Sequence, residues 1–334
     1  MTPTPRGRIG LLLASATPPE EVAALSKKAE ELGFQELWVP EDYFFGGGIS
    51  TAAITLAATE RIAVGVGVVA SVVRHPAVTA MEIATLARAF PGRILPGIGH
   101  GVPAWTNQMG LTNKSPMSAL RETLTSLRAL LAGETVSTEG KTFTFRDVTL
   151  THPAPDKVPL YTGVLGDKGI ALTGELADGL LVSALAPVEY VESARRKLDT
   201  AAKEAGRESV PSMSVLLLAN VTSDPALAEA VREEMKQILA FYIAATGPCP
   251  LFGAIGANEQ IAEMLSRGGP EIVAAEMPES WVDAFAVAGS VDDCRSKIEQ
   301  YFQCGADAVV VSPVPATRTE ETLAAISELI TVSA

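Results

Sequence analysis

Short apolar runs alternate with amphipathic, helix-period segments along almost the whole of this chain. The stretch Arg61–Gly101 displays the unit most plainly: Ile62–Val69 and Ile94–Gly99 are apolar runs punctuated by glycine, and the segment between them has a helical period. Parallel strands buried on both faces read as continuous Val/Ile runs, so this is a β-α-β unit with small and polar residues gathered at its strand ends. Upstream, Arg8–Ala14 reads as a strand. Thr17-Pro18-Pro19-Glu20-Glu21 then supplies an N-cap, first-turn prolines and acids for a helix with Val22, Leu25, Ala29 and Leu32 on one face, stopped by Gly33. Glu36–Val39 is the next strand, ended by Pro40. Pro116 opens another amphipathic helix carrying Leu120, Leu124, Leu127 and Leu131, and residues 134–151 form a hairpin-like excursion in which Thr142–Leu150 alternates. Further strands are predicted at Leu160–Thr162, Gly179–Ser183, Met213–Val221 and Ala308–Val311. Helices fall at Lys168–Ala177, Pro187–Ala205, Pro225–Ala245 and after Thr319.

Eight strands, nearly all followed by helices and without a second compositional regime, describe an α/β protein: a single-domain (β/α)8 TIM barrel over residues 1–334. Thr246–Gly289, rich in Gly and Pro between the seventh and eighth strands, is expected to be a helical insertion over the barrel mouth. The competing doubly wound sheet lacks its fingerprint. Gly97-Ile98-Gly99-His100-Gly101 runs into Val102-Pro103, not into a helix with a third glycine in register.

Composition narrows the partners. A formal charge of -13 argues against a nucleic-acid or anionic-membrane surface, because both need a basic face to displace counterions. An anionic ligand therefore needs a local pocket of donors. The three cysteines, Cys249, Cys294 and Cys304, fit neither a disulfide framework nor a metal-ligand spacing, and point to a reduced, cytoplasmic protein without a metal. No apolar run approaches membrane-spanning length, and Met1 to Arg8 reads as a short disordered lead.

Several motifs, in order, resemble the bacterial-luciferase-like superfamily, and within it the deazaflavin-dependent branch typified by methylene-tetrahydromethanopterin reductase. They are Leu32-Gly33-Phe34 with Leu37-Trp38-Val39, Gly67-Val68 through Arg74-His75-Pro76, Gly92-Arg93, Gly97-x-Gly99-x-Gly101, Pro159-Leu160-Tyr161-Thr162-Gly163, Gly174 to Gly179, and Ala288 to Cys294. The resemblance implies a barrel that binds coenzyme F420, or alternatively FMN, at the C-terminal strand ends, and a homodimer acting on a small molecule. It further implies a third-strand bulge at Gly67-Val68-Val69 with a non-prolyl cis peptide behind the tricyclic ring. By the same likeness, Gly99 and Trp105 belong to the ring's surroundings, and Ser183 matches a polar position near the cofactor phosphate. The fifth-strand loop, with Gly163, Leu165, Gly166 and Lys168, precedes a helix. Its free N–H groups and the helix dipole make an anion site of the kind that phosphate needs.

The departures from that branch fall where substrate chemistry sits. The methanopterin reductases end their second strand in an Asp-His pair, where this chain has Glu41-Asp42. Val102 and Leu12 stand at two positions where they carry acids. The histidine and glutamate used by the branch's glucose-6-phosphate dehydrogenases are also missing, which points away from sugar oxidation by that route. Glu41, Asp42 and His100 remain as candidate catalytic groups near the ring. The two carboxylates are either proton donors tuned by burial or solvated loop residues, and His100 is either a donor to ligand or a turn residue bonding its own backbone. A reduced deazaflavin is a two-electron hydride carrier, so the implied reaction is hydride transfer to or from an activated C=N or C=C of a small molecule. An FMN-dependent monooxygenase and a barrel without turnover are the other two readings.

Overall fold

The computed structural model describes residues 7–111 and 114–331. Of the expected lead, only Gly7 and Arg8 lie within the described residues, and Arg8 opens the first strand. The strands are β1 (Arg8–Leu12), β2 (Glu36–Val39), β3 (Ala63–Ala70), β4 (Ile94–Gly99), β5 (Val136–Glu139), β6 (Thr144–Val148), β7 (Tyr161–Gly163), β8 (Gly179–Val182), β9 (Ser212–Thr222), β10 (Ala286–Ser290) and β11 (Ala308–Pro313). Parallel pairings run from β1 through β2, β3, β4, β7, β8, β9 and β11 and return to β1, closing an eight-stranded barrel. The antiparallel pair β5–β6 is the hairpin excursion.

Residues 246–289 hold the helices Pro250–Gly253, Asn258–Gly268, Pro270–Glu276 and Ser280–Phe285, and also a strand that the sequence reading did not assign. That strand, β10, pairs with the far half of β9, from Ala286 opposite Leu218 to Ser290 opposite Thr222. The near half of β9 pairs with β8, so one long strand serves two shorter ones along a single edge.

Strand alternation sorts the side chains into two cores. Leu37 and Val39 on β2 face the surrounding helices, whereas Trp38 between them points to the barrel axis and packs with Tyr161, Leu181 and Val310. The Trp38 and Tyr161 rings meet edge-on at 5.3 Å. Gly65, directly opposite Trp38 in register, is required by this packing, since a Cβ there would stand 2.2 Å from the indole. The filled axis leaves the C-terminal strand ends as the place for a cavity. Among the described residues no helix is long and apolar enough to cross a membrane, and no cluster of three or more His, Cys, Asp or Glu could hold a metal ion.

Candidate active site

A cavity of about 470 Å³ opens where the strands end. Its floor begins on β3. The β3–β4 register slips between Val66 and Val69, so Gly67 and Val68 together oppose the single residue Gly97, which is a bulge, and the Gly67–Val68 peptide is cis as expected. The Val68 side chain lies in a slot made by three glycines: Cβ atoms at Gly97, Gly99 and Gly163 would stand 2.9, 2.6 and 2.8 Å from its methyls. These glycines therefore admit a protein side chain. Leu181 of β8 and Leu216 of β9 complete the floor.

The wall above β2 carries Glu41, Asp42 and Tyr43. Glu41 is buried and fully engaged as an acceptor. Arg74 donates to it from both terminal nitrogens at 2.6 and 2.9 Å, the Tyr43 hydroxyl donates at 3.0 Å, and the Gly48 amide at 3.1 Å. Neither oxygen is left to carry a proton toward a substrate. Hydrogen bonding to Glu41, which outweighs burial, holds the Arg74 guanidinium above its ordinary range; burial and the Glu41 charge push the Tyr43 phenol up, so it stays a donor. Arg74 is positioned by the turn ahead of the Pro76–Ala89 helix, whose N-terminus His75 caps by accepting the Ala77 amide at 3.2 Å. Asp42 accepts from the Ser15 hydroxyl at 2.5 Å.

After β4 come His100, Val102 and Trp105, the last on the short Pro103–Gln108 helix. Burial lowers the His100 pKa against an opposing backbone hydrogen bond at Pro116, and its Nδ1 is buried with no hydrogen-bond partner among the described residues. The wall after β7 is the Gly163–Gly166 turn, which enters the Asp167–Leu176 helix with Gly166 at the N-cap and no side-chain cap. The Tyr190 hydroxyl steadies this turn by donating to the Leu165 carbonyl at 2.7 Å. Ser183 follows β8 and faces the same space.

The structure thus gathers Glu41, Asp42, His100, Gly67, Val68, Trp105, Gly163, Leu165, Gly166 and Ser183 around one cavity. Three expected contacts lie outside its wall. Val69 packs in the outer core because it continues the alternation past the bulge, Gly99 sits beneath Val68, and Lys168 is exposed on the first helical turn. No residue of the 246–289 segment is in the wall either. Sequence reasoning passed over Leu181 and Leu216. Leu181 was accessible, lying two residues before Ser183 and so on the same strand face. Arg74 and Tyr190 act through contacts distant in sequence, which no local pattern announces.

A parallel (β/α)8 barrel with a bulged third strand and an uncapped helix N-terminus facing one cavity at the strand ends defines a ligand-binding barrel of the enzyme type. The chain belongs to the luciferase-like monooxygenase family, whose family model matches residues 5–308. It is 29% identical over 311 residues to the 5,10-methylenetetrahydromethanopterin reductase of Methanolobus tindarius, covering 91% of this chain and 94% of that protein. It is 30% identical to the F420-dependent glucose-6-phosphate dehydrogenase of Nakamurella multipartita, covering 86% and 84% of the two chains. Among solved structures, the coenzyme F420 dependent tetrahydromethanopterin reductase from Methanopyrus kandleri superposes with a TM-score of 0.84 at 26% identity, over 98% of this chain and 99% of that one.

Proposed function

We propose that this protein is a coenzyme F420-dependent oxidoreductase that transfers a hydride to or from an activated C=N or C=C of a small molecule. The observation that carries the reading is the pairing, across one cavity, of the Gly67–Val68 bulge with the uncapped helix entry at Gly163–Gly166. Such a cavity suits a planar ring joined to a phosphate tail. The bulge would support the back of the ring. The N–H groups of the Gly163–Gly166 turn and of the first helical turn would hold the phosphodiester, with the Ser183 hydroxyl beside it. When bound, the deazaflavin would supply a carrier for two electrons, moved together as one hydride.

The residues present divide the remaining tasks. Glu41 and Arg74 form a rigid pair that positions Tyr43 and the turn after β2, so Glu41 serves as a positioning group rather than a proton donor. His100 lines the cavity with burial lowering its pKa, and its Nδ1 is buried without a hydrogen-bond partner among the described residues. Asp42 lines the same cavity. The protein is further proposed to be a cytoplasmic homodimer.

Titration of the purified protein with coenzyme F420 and, separately, with FMN tests the assignment. Saturable binding of F420 with a shifted absorption band supports it. Retention of FMN with its two-band yellow spectrum, and no response to F420, would hand the site to a monooxygenase. Binding of neither would leave a barrel without turnover.

A further inference from the structure

The two ends of the cavity differ in polarity. Beside β7 the wall presents backbone N–H groups at a helix entry. Over β2 it presents carboxylates, and among the described residues that line the cavity no lysine or arginine occurs. Glu41 is neutralised by the two-pronged contact with Arg74. Asp42 has only the Ser15 hydroxyl, and no cationic side chain pairs with it among the described residues.

The surroundings of Asp42 are aromatic. Tyr43 next to it meets Trp105 edge-on at 6.2 Å and Phe44 at 5.9 Å. Phe44 and Phe45 are 64% and 59% exposed, far more than large apolar side chains usually are, and Phe45 shares a small side cavity with Asp42. Tyr242, on the Ala228–Thr246 helix, lies close enough that burial and then the Asp42 charge raise its pKa.

One uncompensated carboxylate sharing its cavities with Tyr43, Phe45 and Trp105 is complementary to an organic cation, which gains an ion pair and can add cation–π attraction. A phosphate or carboxylate substrate would meet Asp42 with no cation to offset it. A polyhydroxylated sugar would leave the aromatic rim without a partner. We propose that the substrate facing the cofactor is an amine or iminium cation on an aromatic or otherwise apolar body, with its nitrogen paired to Asp42. This rests on the deazaflavin reading for the source of the hydride. In the reductive direction the hydride bonds to the carbon of the C=N⁺ group and its π pair becomes the nitrogen lone pair. The product is a neutral amine, and the reduced deazaflavin, oxidised by two electrons, also releases its ring N–H proton to solvent; in the reverse direction an ammonium substrate gives its proton to solvent before the hydride leaves its carbon. No proton has to be delivered to a tertiary amine product, in keeping with a site whose buried carboxylate, Glu41, has both oxygens occupied.

A matched probe series tests this on the full chain, with and without F420: phenethylammonium, phenethyl alcohol and phenylacetate, followed by isothermal titration or ligand-observed NMR. The cation is expected to bind roughly tenfold more tightly than the alcohol, and the carboxylate most weakly. Asp42→Asn, which can still accept from Ser15, should erase the preference for the cation while leaving the affinity for the alcohol unchanged. Equal binding of cation and alcohol by the unmodified protein, or a preference for phenylacetate, overturns the proposal whether or not the variant folds. Survival of the cation preference in Asp42→Asn overturns it too. The F420 titration separates the two readings: a cation preference without F420 binding sinks the cofactor and keeps the Asp42 site, and F420 binding without a cation preference does the reverse. Return of the oxidised chromophore when reduced F420 meets N-methyl dihydroisoquinolinium on the enzyme would support both.

Discussion

Replacing Gly166 with valine isolates the proposed phosphate cradle from the rest of the molecule. Gly166 has φ -84 and ψ 155, an extended conformation that β-branched residues favour, and no atom lies within 4 Å of where its Cβ would stand. The fold therefore accepts the side chain, and the lower entropy of the unfolded chain adds about 0.4–1 kcal/mol of stability. The valine methyls enter the space through which an anion approaches the helix entry. Gly169 and Ile170 are the first residues whose amides turn back to the Gly166 carbonyl, so the amides of Asp167 and Lys168 precede the helical ladder and are the ones shielded. Losing one or two charge-assisted hydrogen bonds costs about 1.5–3 kcal/mol each, so the F420 dissociation constant should rise at least about tenfold. Lys168→Ala removes an exposed, screened charge and should change affinity by less than about threefold. Fluorescence titration of F420, with thermal melting as the control for folding, reads both variants. Unchanged affinity in a folded Gly166→Val protein would refute the cradle and move the phosphate elsewhere.

Glu41→Gln leaves the partly buried Arg74 with Glu82 at 3.6 Å as its remaining carboxylate, and should cost about 3 kcal/mol in urea denaturation; a loss below about 1 kcal/mol would mean the pair does not brace the wall. His100 should titrate by NMR with a midpoint below about 6.5. Because folding favours its neutral ring, the protein should lose stability relative to His100→Gln as pH falls through about 6.5 toward that midpoint, with a constant difference below it; a midpoint above the ordinary value would contradict the buried, unpartnered placement. Gly99→Ala sets a Cβ 2.6 Å from a Val68 methyl, an overpacking worth about 1–3 kcal/mol that Val68→Ala should relieve; additive costs in the double-mutant cycle would separate Gly99 from the floor.

The barrel was legible because its strands are short apolar runs and its helices keep one apolar face, as at Leu120, Leu124, Leu127 and Leu131. The Gly48–Ala58 helix carries no such signal: its residues are almost uniformly small or apolar, so it has no period to read. β10 escaped because Ala286–Ser290 is a short run whose strand state depends on the far half of β9. In the site, residues at or just past strand ends, Glu41 to Tyr43, His100 and Gly163 to Gly166, could be placed from topology alone. What those residues do could not be. Glu41 looks like a proton donor until Arg74, 33 positions away, is seen holding both of its oxygens. The glycines of Gly97-x-Gly99 look like room for a ligand until Val68 is found in the slot.

The most direct measurement is an experimental structure of the protein with coenzyme F420 bound. The deazaflavin ring should lie against the Gly67–Val68 bulge, its phosphodiester on the amides from Gly163 to Lys168, and its exposed face toward Asp42. A ring seated elsewhere, or a phosphate held away from the helix that begins at Asp167, would contradict the assignment of this cavity.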